Sequence, residues 1–368
     1  MRKTLTIIVP SYNMEVYIAR CIDSLGIDVL RGIRIKDDEV LADRLEVLIV
    51  NDGSTDKTSS IAHEFEEIYP EIVHVIDKKN GHYGSCINRG LAEAKGTFVK
   101  ILDADDTFDA DAFKTYLRFL VETCETGDAG EIDLVISDFQ IVDIDGCPLD
   151  VLRSFPYPKG TSFDIGILAK NDMLWYRMHA VTYRTERLRG MNYKQIEGVM
   201  YSDSEWTVVP LCVVRKIRYC PVRLYLYLMG REGQSMAPGV WGKNLSHRTA
   251  VILDIVRSFV RQTECSSEEN KMLVSSLVYE GLKSIYTTSF LKCNVENIDN
   301  ILRPMDVKLA KTDKKMHERI RNLTFPSRRG LHVVRFWQDH TWSSRLISYY
   351  MRLYSRLVKS ILWFARKR

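Results

Sequence analysis

No stretch of this 368-residue sequence approaches the roughly 18 consecutive apolar residues that a membrane-spanning helix requires. The eight cysteines include no C-x-x-C pair, so their spacing indicates neither a zinc site nor a thioredoxin-type motif. Cysteines scattered in this way fit a reducing cytosol, and the apolar run after Lys3 is too short for a secretory signal. Internal repeats and low-complexity segments are also absent. We therefore expect a cytoplasmic, globular protein.

The charge of the chain is unevenly distributed. Its formal net charge is +4, yet residues 327–368 contain ten Lys or Arg and a single acid, Asp339. The rest of the chain is therefore net acidic. Hydrophobic residues at 45% and charged residues at 27% are ordinary globular values, and the length favours two structural units over one.

The N-terminal part alternates between strand-like and helix-like segments. Short apolar runs predict buried strands, and stretches with helical spacing separate them. The predicted strands are 5–9, 45–50, 72–76, 98–102 and one starting at 133, and the predicted helices include 61–69, 85–94 and 109–122. This order predicts an α/β fold with a mainly parallel sheet.

Beyond about residue 245 the pattern becomes helical. Helical spacing covers 249–262 and 270–291, and a Pro-Gly turn at 238–239 marks a boundary before them. We predict one domain over residues 1–240 and a helical C-terminal region over 241–368.

Three polar segments follow predicted strands at their carboxyl ends, where ligands bind in open α/β sheets. They are 9–13 (VPSYN), 51–56 (NDGSTD) and 103–106 (DADD). Each alone would also fit a turn followed by a helix cap, because Asp, Ser, Thr and Gly favour such positions. Three of them at strand ends predict one shared crevice.

The acidic segment 103–106 has the composition of a cation site. Carboxylates this close repel each other unless a cation lies between them. Mg²⁺ or Mn²⁺, which prefer oxygen ligands, would relieve the repulsion and stabilise charge on a departing diphosphate. The alternative is an Asp-rich N-cap for the helix that starts near Asp109, and the two roles are compatible.

Together these motifs resemble glycosyltransferase family 2. The resemblance covers about residues 4–235 and rests on VPSYN (9–13), NDGSTDKT (51–58), NGHYGSCINRGLAEAKG (80–96) and LDADD (102–106). It implies a GT-A fold (Rossmann-like) and an inverting transfer of a sugar from a nucleotide donor. The donor-site residues that it implies are Pro10 and Tyr12 at the base, Asp52 at the uracil or ribose, Asp103 at the ribose or sugar, and Asp105 at the metal.

The third motif departs from the Ala-Arg-Asn that the family often carries, since this chain has Cys-Ile-Asn at 86–88. It is similar instead to a subgroup linked to bacterial surface polysaccharides, which has a Gly-His-Gly-Ser-type run and a Lys two residues before Leu-Asp. Tyr83 stands where that run varies. The resemblance implies further donor contacts from Asn80, Gly81, His82 and Lys100.

An inverting transferase needs a base that takes the proton from the acceptor hydroxyl. The family places this carboxylate beyond the metal motif, in an acidic stretch that leads into an aromatic-led helix. Counting back from Trp206 in YSDSEW (201–206) assigns the base to Asp203, with Glu205 as the alternative. The non-catalytic interpretation of Asp203 is an N-cap for a helix over 204–213.

A loop with two glycines around Arg231 follows the aromatic strand 224–228. This composition predicts a mobile loop, 230–235, that closes over the donor diphosphate through Arg231. A plain surface turn fits the same residues equally well.

The C-terminal tail has the pattern of a basic amphipathic helix. At 100° per residue, one face of 345–368 is apolar and the opposite side is basic. The apolar face comprises Leu346, Tyr350, Leu353, Leu357, Ile361 and Phe364, and the basic side comprises Arg345, Arg352, Arg356, Lys359, Arg366 and Lys367. This pattern favours a helix lying on an anionic membrane surface. The alternative is a terminal helix that packs on the protein with a solvated basic face.

The sequence as a whole predicts metal-dependent, inverting transfer from a UDP-linked sugar to a hydroxyl of a glycan or lipid-linked acceptor, at the inner face of the cell membrane. Nucleic acid is not a predicted partner, because no nucleic-acid-binding module is visible. Two other classes remain open, a nucleotidyltransferase and a non-catalytic nucleotide-sugar-binding protein. The first usually has a Gly-rich basic loop near its first strand, which this chain lacks, and the intact acidic motifs argue against the second.

Overall fold

The computed structural model describes residues 2–36, 38–125, 131–149, 155–170, 178–231, 244–293, 295–326 and 330–366. The chain divides into two compact units. The first comprises residues 1–234 with 265–273, and the second comprises 235–264 with 274–368. The predicted boundary at 240/241 lies outside the described residues.

The strands of the first unit build one large sheet. In chain order, the described strands are β1 (Leu5–Ser11), β2 (Arg34–Lys36), β3 (Glu39–Val40), β4 (Leu45–Asn51), β5 (Val73–Asp77), β6 (Phe98–Ile101), β7 (Thr107–Phe108), β8 (Ile132–Val142), β9 (Ser162–Asp164), β10 (Val181–Arg184) and β11 (Lys216–Leu228). Nine of these form a sheet with the order β5-β4-β1-β6-β10-β8-β11-β7, in which β9 also pairs with β11. Strands β2 and β3 form a separate two-stranded ribbon.

The half of this sheet that runs β5-β4-β1-β6 is entirely parallel. Every residue of β1 and β4 is buried, which explains why both strands are mostly apolar in the sequence. Two buried polar residues within them, Thr6 and Glu46, are hydrogen-bonded to each other at 2.6 Å. The predicted α/β class is confirmed. The other half is mixed, because β10 runs antiparallel to both β6 and β8, and β11 pairs parallel with β8 but antiparallel with β7.

Helices cover the sheet and make up most of the second unit. Those of the sheet region are α1 (Ile18–Asp23), α2 (Ile27–Arg31), α3 (Thr58–Ile68), α4 (His82–Glu93), α5 (Ala110–Glu125), α6 (Gly166–Lys170), α7 (Thr185–Gly190) and α8 (Asp203–Val208). They are followed by α9 (Leu245–Gln262), α10 (Glu268–Lys292), α11 (Val295–Thr312), α12 (Lys314–Arg321), α13 (Val333–Gln338) and α14 (Ser344–Arg366). The predicted C-terminal helical region is confirmed. No helix among the described residues is both long enough and apolar enough to cross a membrane.

The parallel half of the sheet positions all three polar segments. Segments 9–13, 51–56 and 103–106 follow β1, β4 and β6, which are neighbours and run in the same direction. Apolar side chains of β1 and β4 pack with those of α1 and α5 in one core beneath them. The three segments therefore lie along the same edge of the sheet, supported by a rigid core.

Candidate active site

The first two polar segments are joined by hydrogen bonds between side chain and backbone. The side-chain oxygen of Asn13 accepts from the Thr55 amide at 2.8 Å, and the Asn13 amide donates to the Ser54 hydroxyl at 3.0 Å. Two residues further along each loop, the carboxylate of Glu15 accepts from the Lys57 amide at 3.0 Å. These bonds hold the loop after β1 against the loop after β4.

The two residues predicted to flank the nucleotide base differ in exposure. Pro10 is buried within β1, where it pairs with Val50 of β4. Tyr12 lies in the loop beyond the strand, and 47% of its surface is exposed. The Tyr12 ring is accessible for stacking on a planar base, whereas Pro10 shapes the backbone beneath it.

Asp52, which is only 3% exposed, lies beneath the loop 78–81. Its Oδ1 accepts from the Lys78 ammonium at 2.5 Å and from the Gly81 amide at 2.9 Å, and its carbonyl accepts from the Asn80 side chain at 2.9 Å. The neighbouring Gly53 has a φ of +71°, and a Cβ there would lie 3.1 Å from the Asn80 nitrogen. Three predicted donor-site residues, Asp52, Asn80 and Gly81, thus form one hydrogen-bonded group.

Helix α4 connects this group to a distant part of the chain. It begins at His82, which is exposed and has a φ of +64°. A Cβ on Gly84 would lie 2.2 Å from the Ile196 carbonyl oxygen, so only glycine permits this close approach. Asn88 and Gln195 then exchange two hydrogen bonds, of 2.9 and 2.8 Å. The NGHYGS motif is therefore packed directly against residues 195–196, which lead to α8.

The acidic segment after β6 brings three carboxylates together. Oxygen atoms of Asp103, Asp105 and Asp106 lie within 4.8 Å of one another. Asp106 is 1% exposed, and its two oxygens accept from the Tyr225 hydroxyl and the Leu228 amide, both at 2.7 Å. Asp106 therefore anchors the segment to β11, and Asp105 is the candidate metal ligand, with Asp103 next to it.

The electrostatics of this cluster fit a divalent cation. Burial, followed by the charge of Asp105, raises the pKa of Asp103 to about 8 and raises that of Asp106 well above its usual range. Both shifts reflect the cost of holding three carboxylates in one partly buried space. A hard cation with oxygen ligands would offset that cost, so the residues fit Mg²⁺ or Mn²⁺.

Tyr83 connects the metal segment to the predicted base. Its hydroxyl donates to Asp103 Oδ1 at 2.8 Å and lies 3.3 Å from the sulfur of Met178. Burial and then the charges of Asp103 and Asp203 raise the pKa of Tyr83, and Asp203 also contributes to the raised pKa of Asp103. Asp203 is thus close enough to Asp103 for their charges to interact, although the two are far apart in sequence.

The two candidate bases occupy different environments. Glu205 is 1% exposed, and its carboxylate accepts from the Ile196 amide at 2.7 Å. Asp203 is half-buried and is the first residue of α8, with Ser202 at the N-cap. Glu205 therefore has a structural partner, since it fixes α8 to residues 195–196, which pack against α4. This favours Asp203 over Glu205 as the base that contacts the acceptor hydroxyl.

Lys100, predicted to contact the donor, lies in the interior instead. It is fully buried in β6, and its ammonium donates to the carbonyls of His179 and Val181 at 2.7 and 3.3 Å. With both carbonyls in contact and no exposed surface, the ammonium is not accessible to a ligand in this structure, and a donor contact of Lys100 stays a prediction. Its described role is to join β6 to the start of β10.

The buried ammonium should make the stability of the protein depend on pH. Burial lowers the pKa of Lys100 from 10.5 to about 7, so between these values the unfolded chain binds a proton that the folded chain does not. The contribution of Lys100 to the free energy of unfolding should therefore rise with pH above 7, by up to about 1.4 kcal/mol per pH unit. Asp103, whose pKa is raised to about 8, contributes with the opposite sign below that pH. Lys100→Met should remove this contribution of Lys100 and so lower the slope of the unfolding free energy against pH between pH 7 and 9, as measured by urea unfolding. An unchanged slope would show that Lys100 does not titrate there.

Arg231 contacts the metal segment directly. Its Nε donates to Asp105 Oδ2 at 2.5 Å, and its guanidinium lies 5.7 Å from the centre of the Tyr17 ring. Arg20 approaches from α1 and donates to the Asp105 carbonyl at 3.1 Å. The structure thus places Arg231 next to the predicted metal ligand, while residues 232–235 of the predicted loop lie outside the described residues.

Four functional candidates were not predicted from sequence. Lys78 has a usable signal, because it lies two residues before the NGHYGS motif, and Tyr83 lies within that motif. Tyr225 and Arg20 have no such signal in the sequence. The pairing of β11 with β7 brings Tyr225 to Asp106, and the packing of α1 brings Arg20 to Asp105.

Sequence comparison matches the N-terminal part of the chain to a known family. Residues 6–141 match the family described as Glycosyl transferase family 2. The chain is 27% identical over 259 residues to the uncharacterized glycosyltransferase YibD of Escherichia coli, an alignment that covers 66% of this chain and 67% of YibD. It is 31% identical over 130 residues to the minor teichoic acid biosynthesis protein GgaB of Bacillus subtilis, covering 35% of this chain and 13% of GgaB. The chain also spans only 15% and 33% of the lengths of two other curated relatives.

Structure comparison shows the same fold in a solved protein. The crystal structure of Staphylococcus aureus TarS residues 1–349 with UDP-GlcNAc matches with a TM-score of 0.65 at 17% identity. The match covers 96% of this chain and 92% of the TarS chain. The predicted GT-A fold with a helical C-terminal region is therefore confirmed.

Proposed function

Because the chain carries a glycosyltransferase family 2 domain over residues 6–141, we propose that it transfers a sugar from a UDP-linked donor to an acceptor hydroxyl, with inversion at the anomeric carbon. The observation that carries this proposal is the convergence of Asp103, Asp105 and Asp203. Asp103 and Asp105 belong to an acidic segment that suits a metal ion bound to a diphosphate. The half-buried carboxylate of Asp203 lies close enough for its charge to interact with that of Asp103. The TarS fold, which was solved with UDP-GlcNAc, supports a UDP-sugar donor.

In the proposed reaction the donor binds along the sheet edge. Tyr12 stacks on the uracil, and Asp52 with the loop 78–81 contacts the uracil and ribose. Asp103, oriented by the Tyr83 hydroxyl, contacts the ribose or sugar. Asp105 and Arg231 hold the diphosphate end of the donor. Mn²⁺ or Mg²⁺ bound at Asp105 would stabilise the negative charge that builds up on the departing diphosphate.

Asp203 acts as the general base. Its carboxylate takes the proton of the acceptor hydroxyl as the hydroxyl oxygen attacks the anomeric carbon. One carbon–oxygen bond forms to the acceptor, and the bond to the diphosphate oxygen breaks on the opposite face, so UDP leaves with its bonding electron pair. An α-linked donor then gives a β-linked product.

The experiment that tests this function is a donor panel. Purified protein with Mn²⁺ is incubated with a series of nucleotide sugars and a mixture of glycan acceptors, and release of free nucleoside diphosphate is measured. We expect release from a UDP-sugar that depends on acceptor. Release of nucleoside diphosphate from a non-UDP donor only would reject the UDP assignment. Release of sugar 1-phosphate instead of nucleoside diphosphate would indicate transfer of the nucleotidyl group.

The proposed acceptor is a glycan or lipid-linked glycan of a surface polymer at the inner membrane face. The similarity to GgaB, a teichoic acid biosynthesis protein, supports a surface-polymer acceptor. Helix α14 supports the membrane location. Its side chains are described up to residue 358, and those of Lys359, Ile361, Phe364, Arg366 and Lys367 lie outside the described residues.

Helix α14 has three distinguishable faces. Ile347 and Met351 are fully buried within the second unit. On the outer side, Leu346, Leu353 and Leu357 are 45%, 44% and 55% exposed, and exposed Arg345 and Arg356 lie beside them. The helix thus packs on the protein as the alternative interpretation predicts, yet it still presents an apolar ridge next to basic side chains. That combination fits the headgroup region of an anionic bilayer.

The exposed ridge should control membrane binding. Removing α14 would also delete buried Ile347 and Met351, so substitutions on the outer face are the cleaner test. Leu353→Asp combined with Leu357→Asp should reduce binding to anionic liposomes at low salt by tenfold or more, because each leucine contributes about 1 kcal/mol by partial insertion. Val307→Asp, at another exposed apolar position (52%), should bind normally. If the unaltered protein does not float with such liposomes, the membrane location is wrong.

A further inference from the structure

The ion pair between Arg231 and Asp105 brings an internal cation to a proposed metal ligand. Arg231 Nε donates to Asp105 Oδ2 at 2.5 Å, and the two side chains are only 17% and 12% exposed. A pair shielded to this degree is screened less by solvent than a surface ion pair. The guanidinium therefore occupies part of the coordination space that Asp105 offers.

The surroundings fix this arrangement on two sides. Tyr17 lies beneath the Arg231 guanidinium, 5.7 Å from ring centre to the central carbon, a distance suited to a cation–π contact. Arg20 holds the Asp105 backbone through its carbonyl at 3.1 Å. Asp105 thus meets one guanidinium at its side chain and a second at its backbone.

We infer that Arg231 competes with the divalent cation for Asp105, so that the cation binds tightly only together with the donor diphosphate. This inference rests on the proposed function, because it assumes that the site takes a metal and a nucleoside diphosphate. The inference adds an order of binding to that function. The diphosphate first draws Arg231 away from Asp105, and the released carboxylate then coordinates the cation.

The charges at the site explain the direction of this coupling. Arg231 pairs with Asp105, and carboxylate oxygens of Asp103 and Asp106 lie within 4.8 Å of Asp105 and of each other. A divalent cation arriving alone must displace Arg231 or lie beside it, and like charges that close oppose binding. A diphosphate supplies negative oxygens that a guanidinium binds in a bidentate manner. Arg231 then exchanges one anionic partner for a stronger one.

Linkage requires the effect to be reciprocal. If UDP strengthens Mn²⁺ binding by a given factor, Mn²⁺ strengthens UDP binding by the same factor. Removing the competing guanidinium should reduce that factor, because Asp105 is then available to the cation without the nucleotide. This result distinguishes competition from a simple contact between Arg231 and the diphosphate. If Arg231 only contacted the diphosphate, its removal would weaken UDP binding but would leave the binding of Mn²⁺ in the absence of UDP unchanged.

The test measures Mn²⁺ binding directly, by the electron paramagnetic resonance signal of free Mn²⁺ with the full-length protein. In the unaltered protein, UDP should strengthen Mn²⁺ binding by about tenfold or more, within the usual range of such coupling. Arg231→Gln should bind Mn²⁺ about tenfold more tightly without UDP, and the effect of UDP should shrink to a few-fold. Arg231→Lys keeps the charge but loses the bidentate guanidinium, so its affinity for Mn²⁺ without UDP should lie between those of the unaltered protein and Arg231→Gln. Arg223→Gln, at an exposed arginine paired with Asp109, should match the unaltered protein.

Two results would overturn the inference, and they differ in what they imply for the function. If all variants bind Mn²⁺ with UDP but Arg231→Gln binds Mn²⁺ alone no more tightly than the unaltered protein, competition is wrong and the proposed function stands. If no variant binds Mn²⁺ even with UDP, the metal-dependent function fails and the inference fails with it. Thermal melting of each variant confirms that it is folded, and Arg231→Lys decides the question should Arg231→Gln not fold.

Discussion

Replacing Asp203 by Asn should lower the rate of sugar transfer by about 10²-fold or more while leaving UDP binding intact, because losing a general base typically has an effect of this size. The amide has nearly the same shape as the carboxylate but cannot accept the acceptor proton. Asp203 is half-buried at the start of α8, so the substitution should not unfold the protein. The measurements are the initial rate at saturating donor and the affinity for UDP by calorimetry.

Glu205→Gln is the matched control for this substitution. Glu205 is buried and accepts from the Ile196 amide, so its replacement should lower the melting temperature without removing the proton acceptor. Turnover per folded molecule should stay within a few-fold of the unaltered protein. An inactive Glu205→Gln together with a nearly normal Asp203→Asn would mean that the base lies two residues further along the chain.

The parallel half of the sheet could be predicted because its signals are local. Strands β1 and β4 are buried throughout, so each is a mostly apolar run that ends at a polar segment. The mixed half was predicted only in part, through the strand starting at 133 (β8) and the aromatic strand 224–228 (the end of β11). Strands β7 and β10 have two and four residues, which is too short for a periodic pattern, and their pairing partners are set by long-range packing.

The candidate site also has a part that could be predicted from local sequence and a part that could not. Asp103, Asp105 and Asp203 stand in motifs that the sequence displays, and they were predicted there. Their supports were not, since Tyr83 and Tyr225 act through contacts between residues far apart in the chain. Lys100 was predicted at the donor because a motif can assign a residue to a segment but cannot tell which side of a buried strand its side chain faces. In β6 that side is the interior, where two carbonyls bind the ammonium.

The metal assignment leads to the prediction with the largest expected effect. Asp105→Ala should abolish turnover and Mn²⁺ binding while the protein stays folded, and EDTA should abolish turnover of the unaltered protein. Removing one of three neighbouring carboxylates relieves repulsion within the segment. The loss of the ion pair with Arg231 acts in the opposite direction. The melting temperature should therefore change little. Turnover is followed by UDP release, and full activity in EDTA would exclude a metal role.

Asp106→Asn separates a metal ligand from a structural carboxylate in the same segment. The two Asp106 oxygens accept from the Tyr225 hydroxyl and the Leu228 amide, and an asparagine side chain offers only one acceptor atom. Its amide group would face a donor, so the variant should lose about 1–3 kcal/mol of stability. Mn²⁺ binding per folded molecule should nevertheless persist, in contrast to Asp105→Ala. If Asp106→Asn instead loses Mn²⁺ at an unchanged melting temperature, Asp106 is itself a ligand, and the cation lies deeper beneath the edge of the sheet, next to β11.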